Sequence, residues 1–281
     1  MAKATEAARK RVLVALDSLP GGRALLATAA ELAAKWDAEL VGLFVEDIDL
    51  LNVAALPFCR EFGIAHGEER TLDPAAMARA LRIQAERMRE AVASAAERTQ
   101  VPYSFRVTRG RVEVELLEAC REAELVVVGR ARSTSSRSVR LGSTTRTVLS
   151  RGSCTVVIAR ENAPVGRPVL AVFDGSAVSG RALAAAARLV EQDHRNLAVV
   201  VAAENVEHGR RLERKVASVL QRSGIVPRTI VVRRPTLADL VALIRKENSK
   251  TLVLPADLPL LAAPEAASMI ESLLCPVVLV R

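Results

Sequence analysis

Two distant stretches of this chain run through the same order of elements, and that repeat restricts the fold more than any other feature. Val12-Leu13-Val14-Ala15-Leu16-Asp17-Ser18 is answered by Val169-Leu170-Ala171-Val172-Phe173-Asp174-Gly175-Ser176, and Gly22-Arg23-Ala24-Leu25 by Gly180-Arg181-Ala182-Leu183. Each copy reads as a buried strand, an acid, a turn and a helix. The order continues downstream: residues 40–47 match 197–205, 125–129 match 251–255, and Cys154 to Arg160 match Cys275 to Arg281. The chain is a duplication.

Within each copy, short β-branched runs alternate with Ala- and Leu-rich helical stretches, the pattern of a parallel sheet covered by helices on both faces. The spacing predicts strands near 11–16, 40–45, 103–108, 125–129 and 154–159, and helices near 22–36, 73–99, 112–122 and 144–151. Asp73-Pro74 suits the start of the long helix, with Asp as N-cap and Pro in the first turn. The second copy predicts strands near 168–173, 197–202, 228–232, 251–254 and 276–280. Residues 161–168, with two prolines and a glycine, form the linker between a domain at 1–163 and one at 164–281. Residues 46–72 carry Pro57, Gly63 and Gly67, lack a counterpart in the second copy, and read as an irregular flap or interface loop.

The 281 residues suffice for two domains, each expected to bury its own core. Five Phe, one Trp and one Tyr leave those cores aliphatic and offer little surface for stacking bases. A net charge of +8 is spread over both halves without a dense basic stripe, which argues against a dedicated nucleic-acid binder. The four cysteines form no C-x-x-C pair, so neither zinc nor a redox dithiol is signalled, and all four read as small core residues. The first residues are cationic with no apolar run behind them, and no run spans a bilayer, so a cytoplasmic location is expected.

Chemistry concentrates in one loop. Leu125-Val126-Val127-Val128 runs into Gly129-Arg130-Ala131-Arg132, and nine residues later Gly142-Ser143-Thr144 opens a helix. Gly129 reads as an exit from the strand through a backbone conformation that other residues resist. The first N–H groups of the helix lack intrahelical acceptors, and its dipole favours an anion. This is no Walker loop, since it contains no Lys and the G-x-x-x-x-G-K-[ST] order is absent. His66, His194 and His208 lie far apart, no nucleophile elbow occurs, and no catalytic constellation emerges.

A first strand ending in Asp, five strands alternating with four helices, and a G-x2-G-x9-G-[ST]-type loop before the last helix together resemble the universal stress protein family in its tandem form. The resemblance implies two Rossmann-like α/β domains, of the adenine nucleotide α-hydrolase-like type, each a five-stranded parallel sheet flanked by helices. It further implies ATP, AMP or ADP in the first domain, with Mg²⁺ as a companion. Asp17 would meet the adenosine part and the Val45 backbone the base, while Gly129, Gly142, Ser143 and Thr144 would wrap the phosphates. The middle glycine of the family's loop is Arg132 here, which either crowds the ligand or lies along the phosphates. In the second domain Pro255, Pro259 and Pro264 replace amide donors and no glycine follows Leu254 before Cys275, so that site is lost.

The function implied is a stress-response sensor or regulatory binding module; the alternatives are a nucleotide-independent scaffold with a decayed site and, less favoured, a slow ATPase. Strands 154–159 and 276–280 are apolar on both faces. The resemblance puts them at sheet edges that pair antiparallel within one chain, forming a pseudo-dimer with further homodimerisation open.

Overall fold

The computed structural model describes residues 10–16, 22–56, 58–62, 69–129, 131–132, 139–160, 163–190 and 196–281. In the first half, β1 (Arg11–Leu16), α1 (Gly22–Trp36) and β2 (Glu39–Asp47) are followed by α2 (Ile48–Ala54) and the short strands β3 (Arg60–Phe62) and β4 (Glu69–Thr71). Then come α3 (Pro74–Thr99), β5 (Tyr103–Gly110), α4 (Val112–Glu122), β6 (Leu125–Val128), the two-residue strands β7 (Ala131–Arg132) and β8 (Val139–Arg140), α5 (Ser143–Arg151) and β9 (Thr155–Ile158). The second half comprises β10 (Val169–Phe173), α6 (Ala177–Val190), β11 (Leu197–Ala203), α7 (Val206–Leu220), β12 (Arg228–Arg233), α8 (Leu237–Lys246), β13 (Thr251–Pro255), α9 (Glu265–Ser272) and β14 (Val277–Val280).

Ten of these strands make one sheet in the order β12-β11-β10-β13-β14-β9-β6-β1-β2-β5. Each half contributes five parallel strands, giving two Rossmann-like units. The halves meet where β14 pairs antiparallel with β9, with Val277, Val278 and Leu279 opposite Ile158, Val157 and Val156. Central strands such as β6, β10 and β14 are buried along their whole length, as expected when helices cover both faces. The outer strands β5 and β12 are partly exposed, and the arginines they carry, Arg106, Arg109, Arg228 and Arg233, discourage further strand addition.

Packing does not follow the expectation of one core per half. The apolar side chains divide by sheet face, and each layer crosses the join. Val12, Leu40 and Val157 share one layer with Val169, Leu183 and Val278, whereas Leu13, Val126 and Val156 share the other with Leu170, Leu252 and Leu279. A continuous sheet makes this unavoidable, because successive side chains of β9 and β14 point to opposite faces. Polar contacts reinforce the join. Arg160 Nη1 donates to the Leu273 carbonyl beyond α9 at 2.6 Å, and Arg281 Nη2 donates to the Val148 carbonyl in α5 at 3.3 Å and to that of Leu149. Each half thus sets a cation on carbonyls at the end of the other half's last helix, where the helix dipole favours positive charge.

Asp73 caps α3 by accepting the Ala75 N–H at 2.9 Å, with Pro74 in the first turn. Gly42 on β2 lets α3 approach, because a Cβ there would lie 2.7 Å from Val92 Cγ2. The reading of residues 46–72 as irregular is corrected: Asp47 caps α2 through the Asp49 N–H at 2.9 Å, and β3 pairs with β4 as an antiparallel ribbon. No helix among the described residues is long and apolar enough to cross a membrane.

The turn after β10 is held by Asp174, whose carboxylate accepts the Ser176 N–H at 2.9 Å. Burial pushes the Asp174 carboxyl up, but hydrogen bonds from the Ser176 N–H, the Ser176 and Ser179 hydroxyls and its own N–H outweigh it and leave the group below its ordinary value. A carboxyl depressed by folding contributes stability above its unfolded pKa and loses that contribution as pH falls through the folded value. Thermal melts between about pH 5 and pH 2 should therefore fall less steeply for Asp174→Asn than for the parent, whose unfolded carboxyl titrates near ~3.9. Equal slopes would assign Asp174 no part in acid stability.

Candidate functional site

In the first half the chain leaves β1 to one side through β2 and returns on the other through β6, so the carboxyl ends of β1 and β6 flank the point where strand order reverses. In open α/β sheets that crevice is where ligands enter. Register places the sequence-derived residues around it. Leu16 lies opposite Phe44, which makes Val45 the first β2 residue beyond the end of β1. On its other side Val45 remains paired with Thr108 of β5. Val14 lies opposite Val127, which sets Gly129 level with Leu16. Gly129 and Val45 therefore sit at the same end of the sheet, two strand spacings or ~10 Å apart.

The α5 N-terminus completes one wall. Gly142 is its N-cap, with no side-chain cap and no acidic residue in the first turn. The first intrahelical bond runs from the Arg146 N–H to the Gly142 carbonyl. Ser143, Thr144 and Thr145 consequently present backbone N–H groups with no acceptor among the described residues, an arrangement suited to an anion. Thr145 Oγ1 donates to the Gly129 carbonyl at 2.9 Å and ties the helix start to the end of β6. Sequence reasoning missed Thr145, although it adjoins the Gly-Ser-Thr triplet.

The expected reason for Gly129 is corrected. Its φ is not in the left-handed region, and among the described residues an added Cβ would meet only Leu25 Cδ2 at 3.9 Å. Gly142, at φ −62° and ψ 164°, also has a backbone that any residue adopts. What Gly129 contributes is the absence of a side chain at a position that no other described residue fills. Asp17 and Arg130 lie outside the described residues, and Arg132 is described only as backbone in β7, so the expectations for the Asp17 and Arg132 side chains are carried no further by the structure.

One group at the rim comes from the other half. Glu271 of α9 accepts the Leu141 N–H at 3.0 Å and faces Arg146 Nη2 at 3.3 Å through the same carboxylate oxygen. Leu141 immediately precedes the α5 cap, so the second half holds the loop of the first by a carboxylate. No local pattern could announce it, because the partners are 130 residues apart. At the β2 end, Arg109 Nε and Nη2 both donate to Glu46 Oε2, at 2.9 and 2.7 Å, and secure β5 beside Val45.

The corresponding turn of the second half is bridged by its own side chains. Lys215 Nζ donates to the Gly175 carbonyl at 2.9 Å, and Leu212 packs over the same turn. After β13 the Ala256 N–H is bound to the Val280 carbonyl and the Leu258 N–H to that of Pro255. Pro264 at the start of α9 supplies no N–H. No group of three or more His, Cys, Asp or Glu side chains that could hold a metal ion occurs among the described residues.

The family model for universal stress proteins matches residues 8–160. Among curated protein sequences, none matches this chain. Among solved structures, a universal stress protein from Archaeoglobus fulgidus DSM 4304 is similar at 17% identity and a TM-score of 0.70, covering 96% of this chain and 95% of its own. A structure assigned to the same family from Pseudomonas aeruginosa UCBPP-PA14 is similar at 15% identity and a TM-score of 0.54, covering 97% and 93%. A universal stress protein in complex with cAMP matches 56% of this chain and 100% of its own at 20% identity, with a TM-score of 0.36. The first two likenesses span both halves and concern the fold.

Proposed function

Because the chain belongs to the universal stress protein family, we propose that its first half is a stress-related binding module for an adenine nucleotide, ATP foremost, held at the carboxyl ends of β1 and β6. The observation that carries this reading is the set of N–H groups of Ser143, Thr144 and Thr145, which meet no acceptor among the described residues and start their helix at the switch point beside Gly129. The residues present fit such a ligand. The phosphates lie against those amides and the Ser143 and Thr144 hydroxyls, and the Val45 backbone and Asp17 take the base and ribose. Arg132 acts as a phosphate clamp, and Mg²⁺ arrives with the phosphates rather than on a protein cage.

The second half binds no nucleotide of its own in this reading. It acts as a regulatory partner, and its join with the first half makes the chain a self-contained pseudo-dimer. The function is binding, with a conformational output and no turnover. A nucleotide-independent scaffold is the second reading, favoured by one observation: the Glu271 carboxylate already occupies the Leu141 amide and Arg146 beside the anion position.

Titration calorimetry with ATP, ADP and AMP at millimolar concentration and with Mg²⁺ separates the two. Binding heat is expected from the parent protein, and its absence for all three nucleotides would leave the scaffold reading. Gly142→Val should fold normally, because its backbone suits any residue, yet bind ATP more weakly, because it adds a stiff branched side chain at the cap of the helix whose first N–H groups take the phosphates. Glu271→Gln keeps an acceptor for Leu141 while removing a negative charge near the phosphates, so ATP should bind several-fold more tightly.

A further inference from the structure

Away from this crevice, two cysteines widely separated in sequence come together. Cys120 lies in the last turns of α4 and Cys154 just before β9, and Ser153 Oγ donates to the Cys120 carbonyl at 3.3 Å, clamping the two segments. Cys120 and Cys154 are both free, buried cysteines that pack in the same apolar layer and influence each other's ionisation. A cavity of about 380 Å³ between the halves is lined by Cys154, Trp36, Arg181, Arg188 and Arg281, but not by Cys120. Cys154 thus borders this space, and Cys120, in the same apolar layer as Cys154, lies behind it.

The surroundings also distinguish the two. The hydrogen bond to Cys154, burial and the charge on Cys154 push the Cys120 thiol up, opposed by Arg281. Cys154 moves the other way. Donation from Cys120 lowers it, burial opposes this, and its own N–H, the Arg281 guanidinium and the Val126 N–H add to the lowering. Cys154 is therefore the more readily ionised thiol of the pair, and thiolates are the reactive form. The remaining charged group at the cavity, Glu124, is matched by Arg188 at 3.4 Å.

The geometry points to an oxidisable thiol pair, in which a hydroperoxide entering the cavity between the halves oxidises Cys154 and Cys120 resolves the product as an intramolecular disulfide. The Cys154 sulfur attacks one peroxide oxygen, the O–O bond breaks, and the other oxygen leaves as water or an alcohol after taking a proton. Cys154 is then a sulfenic acid. The Cys120 sulfur attacks the Cys154 sulfur, forming the S–S bond and breaking the S–O bond, and the hydroxide leaves as water with the Cys120 proton. Two thiols and one hydroperoxide give one disulfide, one alcohol or water, and one further water. The bond would fasten α4 to the start of the strand that joins the halves.

The test treats the full chain with equimolar hydrogen peroxide and maps its peptides by mass spectrometry. A Cys120–Cys154 cross-link that disappears on reduction is expected. Cys120→Ser should lose the cross-link and accumulate a sulfenic acid at Cys154, trapped by dimedone, whereas Cys154→Ser should lose both the cross-link and dimedone labelling at Cys120. Oxidation confined to Cys59, with Cys120 and Cys154 both still alkylated after unfolding, would overturn the proposal, and the parent protein alone decides this if either variant fails to fold.

Discussion

A fragment ending at residue 163 should not remain a monomer. In the full chain Val156, Val157 and Ile158 are fully buried, and β14 supplies the neighbour on the open side of β9. Without the second half, that edge presents unpaired N–H and C=O groups on a flat apolar strand, which is a template for pairing with another copy. Arg160 simultaneously loses the Leu273 carbonyl, and α5 loses the Arg281 side chain from its last turn. Sedimentation equilibrium should report a homodimer joined through β9, or aggregate, at concentrations where the full chain has the mass of one polypeptide. A stable, soluble fragment monomer would show that the join is an incidental contact and would remove the pseudo-dimer from the proposed function.

Gly175→Val should cause a large loss of stability, in contrast with the same change at Gly142. Gly175 has φ +88°, and a Cβ there would lie 2.5 Å from Leu212 Cδ2. A β-branched residue meets both penalties. Strain in the left-handed region costs about 1–3 kcal/mol, and forcing Leu212 and α7 aside adds about 1–3 kcal/mol. Together these are a sizeable fraction of the roughly 5–15 kcal/mol that holds a typical protein folded. The thermal midpoint should drop by about 4 °C or more, at roughly 2–4 °C per kcal/mol for a chain of this size class. Gly142→Val should leave the midpoint nearly unchanged, because its φ of −62° suits any residue. Equal midpoints for Gly175→Val and the parent would mean that the β10–α6 turn relaxes freely.

Element identity was legible in the sequence because it rests on local pattern. Apolar runs of four to six residues made β1, β6, β10 and β13 readable, and Asp73-Pro74 marked the start of α3 because both its capping partner and the proline lie within the same turn. The loop was legible for the same reason, since Gly129 and the Gly142-Ser143-Thr144 triplet sit at the ends of elements whose type was clear. The segment at 46–72 was misread because its short helix depends on Asp47 as a cap and on packing against α3, neither of which its glycines and proline advertise.

What only the tertiary structure decided are meetings between residues far apart in the chain. Glu271 reaching Leu141, Cys120 beside Cys154, and Arg281 on the end of α5 carry no periodic or motif signal, because each depends on how separate elements dock. The role of Gly129 belongs here too: its backbone is ordinary, and its carbonyl is the acceptor by which Thr145 ties α5 to the end of β6. The sequence by itself determined that two strand-and-helix repeats would build two parallel α/β units, because side-chain periodicity is written residue by residue. The antiparallel meeting of the two last strands was expected from the repeat and the resemblance; only the three-dimensional arrangement decided its register and hence the two apolar layers that run across the join in place of one core per half, because a long-range pairing is not encoded in local periodicity.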